Sequence, residues 1–386
     1  MRIVMIVIDS GGIGDAPDAA RFGDGGANTI GHAASAAGGV NLPHLAAMGL
    51  QQLTPLEGTP EVPLQGVAYR VYPAANGKDT LAGHWEMMGV TVTEPFRTFP
   101  HGFPPEVVEE LERRFGRPIL GNEPASGTEI IARLGAEHLK SGAPIVYTSA
   151  DSVLQIAAHE EVVPLEQLYQ WCQIAREVMQ GPYRVGRIIA RPFRGEPGHF
   201  IRTPARHDYP VEPPWPTMVD RLAEAGVTTV AFGKIWDIFS GRGFQFPNPT
   251  VSNLDGLRKT RDWLQKADTG REFLFVNLVE FDSHFGHRRD PAGYANALRE
   301  FDAFLPELWA LLGPHDQLWV TADHGCDPTY RGTDHTREAV PWLAYGPALH
   351  PAVGAPRHGL GDMAATLGSL FQVSPVGTGH PARELL

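Results

Sequence analysis

The chain has 386 residues and a formal net charge of −12, with 42% hydrophobic and 20% charged residues. This length allows two domains that each bury a core, and the composition is typical of a globular protein rather than a disordered one. General nucleic-acid binding needs a basic face, so we expect no nucleic-acid partner. Bound divalent cations can reverse the local field, and a small anionic substrate therefore remains compatible with the acidic charge.

Cysteine content and the N-terminal apolar run indicate the compartment. The two cysteines, Cys172 and Cys326, are too few for a disulfide framework. The apolar run at residues 2–8 is too short to span a bilayer, and no small-residue cleavage site follows it. It is better interpreted as a buried parallel strand. We therefore expect a soluble, cytoplasmic protein without a membrane partner.

Both ends of the chain alternate strand and helix patterns, as in a parallel sheet covered by helices. The predicted strands are, in chain order, 2–9, 67–72, 227–232, 271–281, 316–322 and 340–345. Helices are predicted at 255–267 and 291–312, and the Gly-rich stretches 10–15 and 23–31 are predicted to be loops. These elements predict an α/β fold with a mostly parallel sheet sandwiched by helices.

The middle of the chain has a different pattern. Prolines cluster before it, at 100–105, and after it, at 204–216. Between these joints the predicted elements are, in order, helices 106–115 and 128–140, strands 144–149 and 152–157, helix 164–180 and strand 185–191. A self-contained α+β pattern between Pro-rich joints is typical of an inserted domain. We therefore predict a core of residues 1–95 and 216–386, with a smaller inserted cap domain at 96–215.

Aspartates and histidines follow three predicted strands of this core. They are Asp9, then Asp282 and His287, and finally Asp323, His324 and His335. In an open α/β sheet ligands bind beyond the carboxyl ends of the strands, so these side chains are expected to converge. Three carboxylates and three imidazoles suit a pair of Mn²⁺, Mg²⁺ or Zn²⁺ sites able to hold phosphate. Taken singly, each residue is as well explained as a helix cap or a core residue. Cys326 is expected to be a small buried or loop residue, because no second cysteine has ligand spacing.

A threonine stands at the start of another predicted helix. Thr80 follows the turn at 76–79, where helical N–H groups and the helix dipole favour an anion. A threonine hydroxyl becomes a competent nucleophile when a base or a metal lowers its pKa. Thr80 is therefore a candidate to attack phosphorus beside two divalent ions. From the local sequence alone a capping threonine is the commoner role, and that alternative stays open.

Several longer motifs extend over the whole chain. They are Asp9–Ala19 with Phe22–His32, Gly77–Thr80, Thr148–Val153, Gly186–Phe193, Arg206–Tyr209, Asp282–His287 and Thr321–Gly325. Together they resemble the motifs of the phosphopentomutase family, which belongs to the alkaline phosphatase superfamily. The resemblance implies an alkaline-phosphatase-like core and two Mn²⁺ ions per chain, held between that core and a mobile cap. By position it implies one ion on Asp282, His287 and His335. The other ion would be held by Asp9, Asp323 and His324, with the Thr80 oxygen at the metal pair.

The resemblance also implies the reaction. The family interconverts α-D-ribose 1-phosphate and D-ribose 5-phosphate, and the 2-deoxy sugars likewise, linking nucleoside breakdown to the pentose phosphate pool. Transfer is intermolecular and passes through a phosphothreonine, here Thr80, and a bisphosphate intermediate. A sugar bisphosphate, such as glucose 1,6-bisphosphate or ribose 1,5-bisphosphate, primes the enzyme. The implied partners are therefore small sugar phosphates.

The phosphate that is not being transferred needs cations other than the metals. The candidates are Arg187, Arg191, Arg202 and Arg206 near the end of the cap, and Lys234 in the core. Arginine forks match phosphate oxygens bidentately, although each of these residues taken singly is a typical solvated side chain. Asp151 is a candidate acceptor for sugar hydroxyls, and its alternative is a turn aspartate.

Other functions remain open at this point. A phosphatase or sulfatase would share the metal layout, but the inserted segment with its own motifs favours transfer within a closed site. A cofactor-independent phosphoglycerate mutase is expected to be longer and to use serine. A metal-binding module without catalysis would use Thr80 only as a helix cap.

Overall fold

The computed structural model describes residues 1–94, 96–149, 152–266 and 270–386. The chain divides into two compact units. The first unit comprises Met1–Glu94 and Pro213–Leu386, and the second is Pro95–Glu212. Within the described residues, no helix is both long and apolar enough to cross a membrane.

The strands of the described residues are, in chain order, β1 (Arg2–Ile8), β2 (Val67–Tyr72), β3 (Leu120–Pro124), β4 (Ile145–Thr148), β5 (Val153–His159), β6 (Arg187–Arg194), β7 (Ile201–Arg202), β8 (His207–Pro210), β9 (Thr228–Phe232), β10 (Phe246–Asn248), β11 (Glu272–Leu278), β12 (Gln317–Ala322), β13 (Val340–Tyr345), β14 (Ala352–Val353) and β15 (Arg357–His358). The α-helices are α1 (Ala19–Phe22), α2 (Thr29–Ala36), α3 (Pro43–Met48), α4 (Thr80–Met87), α5 (Pro105–Phe115), α6 (Gly127–Ser141), α7 (Leu165–Val178), α8 (Met218–Glu224), α9 (Ile235–Ile238), α10 (Asn253–Leu264), α11 (Pro291–Trp309) and α12 (Gly361–Phe371). A π-helical turn spans Phe281–Gly286, and short 3₁₀ turns span Leu50–Gln52, Gly181–Tyr183 and Arg383–Leu385.

The first unit is built on one large sheet with the strand order β10-β9-β11-β1-β12-β13-β2-β14, and β15 also pairs with β2. Strands β10, β9, β11, β1 and β12 are mutually parallel, whereas β13 is antiparallel to both of its neighbours. Every residue of β1, β11 and β12 is buried. Strands buried on both faces form nearly continuous apolar runs, which is why these three were visible in the sequence. The predicted mostly parallel α/β core is confirmed.

Helices cover both faces of this sheet. On one face, Val4, Ile6 and Ile8 of β1 share an apolar cluster with residues of α2, α3, α10 and α11. On the other face, Phe275 of β11 contacts the rings of Phe239, which follows α9, and of His84 on α4. Helix α4 therefore lies against the sheet beside the central strands.

The second unit has its own sheet, in the order β3-β4-β5-β6-β7, with β8 paired to β6. Two apolar clusters fill it. One cluster joins α5 and α7 to one face of the sheet and is centred on residues such as Trp171 and Ile156. The other joins α6 to the opposite face through Ile131, Tyr147 and Phe193. This second unit therefore contains the buried apolar surface of an independent α+β core.

Several helices differ from the sequence prediction. Helix α2 begins inside the stretch 23–31, which was predicted to be a loop. Glycine and alanine obscured its pattern, but the Asn28 side chain caps it by accepting a hydrogen bond from Gly31 N. The helix predicted at 255–267 runs instead over Asn253–Leu264, because Ser252 is the N-cap and Asp255 lies in the first turn.

Candidate metal centre

The six predicted ligands come from the carboxyl-terminal edge of the main sheet. Strand β1 lies between β11 and β12, so the ends of all three strands are adjacent. Asp9 directly follows β1, and Asp323 and His324 directly follow β12. The prediction for Asp282 needs a correction, because β11 stops at Leu278 and Asp282 lies in the π-helical turn beyond it. That turn still leaves the carboxylate at the same edge.

Asp282, His287 and His335 form the first donor group. The Asp282 Oδ1 atom is 3.2 Å from His335 Nε2 and 3.5 Å from His287 Nε2, and the two Nε2 atoms are 3.1 Å apart. Each ring donates its Nδ1 hydrogen elsewhere, to Lys78 O at 2.7 Å for His335 and to Thr333 O at 2.5 Å for His287. Metal-ligating histidines commonly donate their second nitrogen to a carbonyl in this way, which fixes the ring orientation.

Asp9, Asp323 and His324 form the second donor group. The His324 Nε2 atom is 3.6 Å from Asp9 Oδ1 and 3.2 Å from Asp323 Oδ2. The potential ligand atoms of the three residues lie within 4.8 Å of one another, as do those of Asp282, His324 and His335. The rings of His324 and His335 stack at 3.9 Å. The two groups are therefore contiguous, as neighbouring metal ions would require.

Three carboxylate oxygens of the donor groups lack hydrogen-bond partners, and this bears on whether the groups fit metal ions. Among the described residues, Asp9 Oδ1, Asp282 Oδ1 and Asp323 Oδ2 are buried without a hydrogen-bond partner. The second oxygen of Asp9 accepts from Asn277 Nδ2, and that of Asp323 accepts from the backbone N–H of Ser10. Leaving a buried carboxylate oxygen unpaired is costly. Divalent cations would satisfy these oxygens, and carboxylate and imidazole donors suit Mn²⁺, Mg²⁺ or Zn²⁺. The residues therefore fit a pair of such ions.

The pKa shifts of Asp9, Asp282 and His324 also bear on cation binding at this centre. Burial, together with the charges of Asp323 and Asp282, raises the pKa of Asp9 to about 7. Burial alone would also raise the pKa of Asp282, but His335 and His324 hold it below its usual value. Burial lowers the pKa of His324, yet Asp323 and Asp9 outweigh this effect and raise it to about 10. Cations that bind these donors would have to displace protons, so their affinity must depend on pH.

Thr80 is the first residue of α4 and faces the second donor group. Its Oγ1 atom is 3.3 Å from His324 Nε2. The N-cap is Asp79, whose Oδ1 atom accepts from Ala82 N at 3.0 Å. The alternative that Thr80 serves as the cap is therefore wrong. Its hydroxyl is directed instead toward the donor groups, at the helix end that favours anions.

Gly83 allows α4 to approach the centre this closely. A Cβ atom at Gly83 would lie 2.5 Å from Asp323 O and 2.7 Å from Asp323 Cβ. Real Cβ contacts are essentially never that short, so any larger residue would displace either the helix or Asp323. The position of the Thr80 hydroxyl therefore depends on a glycine one turn further along the helix.

Sequence reasoning missed two polar residues of the site, His84 and Asn277, which are both buried. The His84 Nδ1 atom is 2.9 Å from Thr80 O, and its Nε2 atom is 3.3 Å from Asn277 Nδ2. Asn277 also donates to Asp9 Oδ2 at 3.1 Å. One signal was available, since His84 is four residues after Thr80 and must share a helix face with it. Nothing in the sequence marked Asn277, which lies inside an apolar strand.

Cys326 is buried, as expected, and it lies near the first donor group. Its Sγ atom is 4.0 Å from His287 Nδ1, but that nitrogen donates to Thr333 O. Burial raises the pKa of the Cys326 thiol far above its usual value, and the sulfur lies 3.8 Å from Asp334 O, which can accept its hydrogen. The potential ligand atoms of Asp282, His287 and Cys326 also lie within 4.8 Å of one another, so Cys326 packs directly against the first donor group.

Lys234 is the predicted phosphate-binding cation of the first unit. Its Nζ atom is 3.8 Å from Asp9 Oδ2, and 41% of its side chain is exposed. The cation thus reaches the second donor group while remaining accessible to a small anion. Asp151, the predicted acceptor for sugar hydroxyls, lies outside the described residues.

The predicted arginines of the second unit are Arg187, Arg191, Arg202 and Arg206. Arg206 forms two hydrogen bonds of 2.7 Å to Asp208, and Arg187 is 3.6 Å from the same carboxylate. Arg191 donates from Nε to Gln155 Oε1 at 3.0 Å. Arg202 is exposed and makes no side-chain hydrogen bond or ion pair to another described residue. Arg202 is therefore the most available of the four for an external anion.

The fold and the paired donor groups define a metalloenzyme, and the family model of the metalloenzyme superfamily matches residues 1–375. The chain is 53% identical over 383 residues to phosphopentomutase of Symbiobacterium thermophilum, covering 98% of this chain and 97% of the relative. It is 50% identical over 381 residues to phosphopentomutase of Caldanaerobacter subterraneus subsp. tengcongensis, covering 98% and 96%. The chain belongs to the phosphopentomutase family and is an isomerase. This excludes the hydrolase and the non-catalytic module that the sequence left open.

A solved structure of Leishmania mexicana phosphoglycerate mutase has a TM-score of 0.48 to this chain and 12% sequence identity. The alignment covers 98% of this chain and 97% of that one.

Proposed function

We propose that this chain interconverts α-D-ribose 1-phosphate and D-ribose 5-phosphate, and the corresponding 2-deoxyribose phosphates, by phosphoryl transfer through Thr80. The observation that carries the proposal is the Thr80 hydroxyl, 3.3 Å from His324 Nε2 and beside two groups of carboxylate and imidazole donors. The substrate class is supported by relatives that are about half identical over nearly their whole length and are named phosphopentomutase.

Two Mn²⁺ ions per chain complete the proposed site. Asp282, His287 and His335 would hold one ion, and Asp9, Asp323 and His324 would hold the other. When bound, the ions would favour ionisation of the attacking hydroxyl and offset the negative charge of the transferring phosphoryl group. The unpaired carboxylate oxygens of the three aspartates support this assignment.

Thr80 Oγ1 is the atom that receives and returns the phosphoryl group. A sugar bisphosphate, either glucose 1,6-bisphosphate or ribose 1,5-bisphosphate, first phosphorylates Thr80 and leaves as a monophosphate. Phospho-Thr80 then gives its phosphoryl group to the free O1 or O5 hydroxyl of the pentose phosphate, which becomes a bisphosphate. After this intermediate turns around, its other phosphate returns to Thr80. The first-turn N–H groups of α4 stabilise the negative charge at each transfer, because they lie at the same end of the helix.

Positive side chains would bind the phosphate that is not transferred. Lys234 is supported by its exposure beside Asp9, and Arg202 by its lack of a described side-chain partner. Arg187, Arg191 and Arg206 belong to the same proposal but already contact polar side chains of their own unit. Guanidinium–phosphate pairs are strong and directional, so an unengaged arginine gains most from such a ligand. Asp151 would accept hydrogen bonds from the sugar hydroxyls.

We also propose a cytoplasmic location. The two cysteines, Cys172 and Cys326, are buried and free, as is usual in a reducing compartment.

The decisive assay is coupled conversion of ribose 1-phosphate to ribose 5-phosphate, with and without Mn²⁺ and a bisphosphate primer. We expect activity that needs Mn²⁺, that is raised by the primer, and that is lost in Asp282→Asn. Release of inorganic phosphate at the rate of sugar conversion would contradict the proposal, because it would mean that water accepts the phosphoryl group. Activity on other sugar phosphates with none on pentose phosphates would contradict the substrate assignment.

A further inference from the structure

His84 is a fully buried histidine between helix α4 and the carboxylates of the metal centre. Its Nδ1 atom lies 2.9 Å from Thr80 O and 3.2 Å from Asp323 Oδ2. On the other side of the ring, Nε2 lies 3.3 Å from Asn277 Nδ2. One imidazole thus contacts the residue that carries the hydroxyl, a proposed metal ligand and a partner of Asp9.

These contacts select one tautomer. A backbone carbonyl can only accept a hydrogen bond, so the contact with Thr80 O requires that Nδ1 carry the hydrogen. The Asn277 amide has one consistent orientation, because its NH₂ group faces the acceptor Asp9 Oδ2 at 3.1 Å. The same NH₂ group faces His84 Nε2, which must therefore accept. These contacts place a hydrogen on Nδ1 and leave Nε2 as the acceptor.

Packing holds this ring in place. The His84 ring lies 5.8 Å from the ring of Phe275, and the neighbouring Gly83 brings the helix backbone against Asp323. The ring is fully buried and has a partner at each nitrogen, and these contacts fix the direction of its Nδ1–H bond. A fixed donor at this point determines where the Thr80 carbonyl, and with it the first turn of α4, lies relative to Asp323.

We infer that His84 is a positioning residue for phosphoryl transfer: its Nδ1–H fixes the Thr80 backbone relative to Asp323, and its Nε2 holds Asn277 against Asp9. The inference rests on the proposed function, because it assigns the transferring hydroxyl to Thr80. Reacting groups misplaced by a fraction of an ångström lose much of their rate. His84 contacts no transferring atom, so its loss is expected to lower kcat and to leave KM unchanged.

Two amide substitutions separate the nitrogens of the ring. In His84→Asn the side-chain amide reaches the place of Nδ1, whereas in His84→Gln it reaches the place of Nε2. His84→Asn keeps the Nδ1 donor but loses the Nε2 acceptor, so we expect it to lose less of the wild-type kcat than His84→Gln does. We expect His84→Gln to lose about 10- to 100-fold in kcat, the usual effect of removing a partner that orients a metal site. The fraction of Thr80 phosphorylated by glucose 1,6-bisphosphate, measured by peptide mass spectrometry, should fall in the same order.

A purely structural role predicts a different result. Both variants bury an amide in place of an imidazole. If His84 were only structural, the kcat of each variant would fall in proportion to the loss in its melting temperature, whichever nitrogen the amide replaces. Equal kcat values for the two variants, or losses that track their melting temperatures, would overturn the inference. If wild-type Thr80 takes up no phosphoryl group, the proposed function fails. If wild-type Thr80 does so and the variants behave alike, only the role of His84 fails.

A measurement on the wild-type protein avoids any question of folding. In protein labelled with ¹⁵N-histidine, His84 should give the NMR shifts of a protonated Nδ1 and an unprotonated Nε2. A hydrogen on Nε2 would contradict the hydrogen-bond assignment and the inference with it.

Discussion

Removing the metal should make the first unit less stable as pH rises from about 5 to about 8. The reason is Asp9, whose pKa is raised by burial and by Asp323 and Asp282 from 3.8 to about 7. The folded metal-free chain keeps this proton up to about pH 7, whereas the unfolded chain releases it near pH 3.8. Because the unfolded state then binds fewer protons, the free energy of unfolding falls as pH rises through this range.

The size of the effect follows from the two pKa values. Integrating between 3.8 unfolded and about 7 folded gives a loss of roughly 2–3 kcal/mol from about pH 5 to about pH 8. His324 acts in the same direction, because its pKa is raised from 6.5 to about 10. Its stabilising charge is fully present below pH 6.5 and is lost as pH rises toward 10. For a unit of this size the melting temperature should fall by roughly 5 °C or more.

Thermal melts at a series of pH values, with EDTA-treated and Mn²⁺-loaded protein, measure this effect. In the loaded protein the carboxylates are held ionised by the cations, so the decline should vanish or reverse. Asp9→Asn is the control, because its amide does not titrate and the metal-free slope should become shallower. A metal-free melting temperature that stays constant or rises over this range would refute the reasoning, as would an unchanged slope in Asp9→Asn.

Three substitutions, one of them with a matched control, test the buried ion pair, the close helix approach and the phosphate contact. Asp316→Ala leaves the buried Arg2 guanidinium without the carboxylate that now lies 2.8 Å away. The free energy of unfolding, measured with urea, should therefore fall by about 3–5 kcal/mol. A change near zero would contradict this expectation. Gly83→Ala should lower kcat about tenfold or more by displacing Asp323. The control is Gly25→Ala, where an added Cβ meets nothing within 4 Å, and its kcat should not fall. Equal kcat values for the two variants would contradict the close approach of α4 to Asp323. Arg202→Ala should raise KM for ribose 5-phosphate about tenfold or more, because a hydrogen bond to a charged group contributes ~1.5–3 kcal/mol. An unchanged KM would show that Arg202 does not bind the substrate.

Burial decided which elements were predictable from the sequence. Strand β1 is buried on both faces, so its unbroken apolar run predicted it to within one residue. Helix α12 (Gly361–Phe371) was not predicted, because it is buried almost all round and Asp362 is its one charged residue. Helix α2 was missed for a different reason: its short Ala- and Gly-rich sequence is stabilised by a cap and by packing, which local pattern does not reveal.

The site was predictable where it depends on topology. Asp9 and Asp323 follow adjacent parallel strands, and that arrangement alone brings them together. The π-helical turn that carries Asp282 was not predictable, because the apolar run continues past the end of the strand. For His84 the sequence offered one sign, its position four residues after Thr80 on the same helix face. It offered none for Asn277, whose role depends on contacts between α4 and β11.

The most direct test of the central claim is the covalent state of Thr80. The protein would be treated with Mn²⁺ and glucose 1,6-bisphosphate, and its intact mass and peptide map would be recorded beside those of Thr80→Ala. We expect one phosphoryl group per chain on the peptide that carries Thr80, no phosphoryl group in the variant, and no sugar interconversion by the variant. A phosphoryl group on another residue, or a Thr80→Ala protein that interconverts the pentose phosphates at near wild-type rate, would contradict this claim.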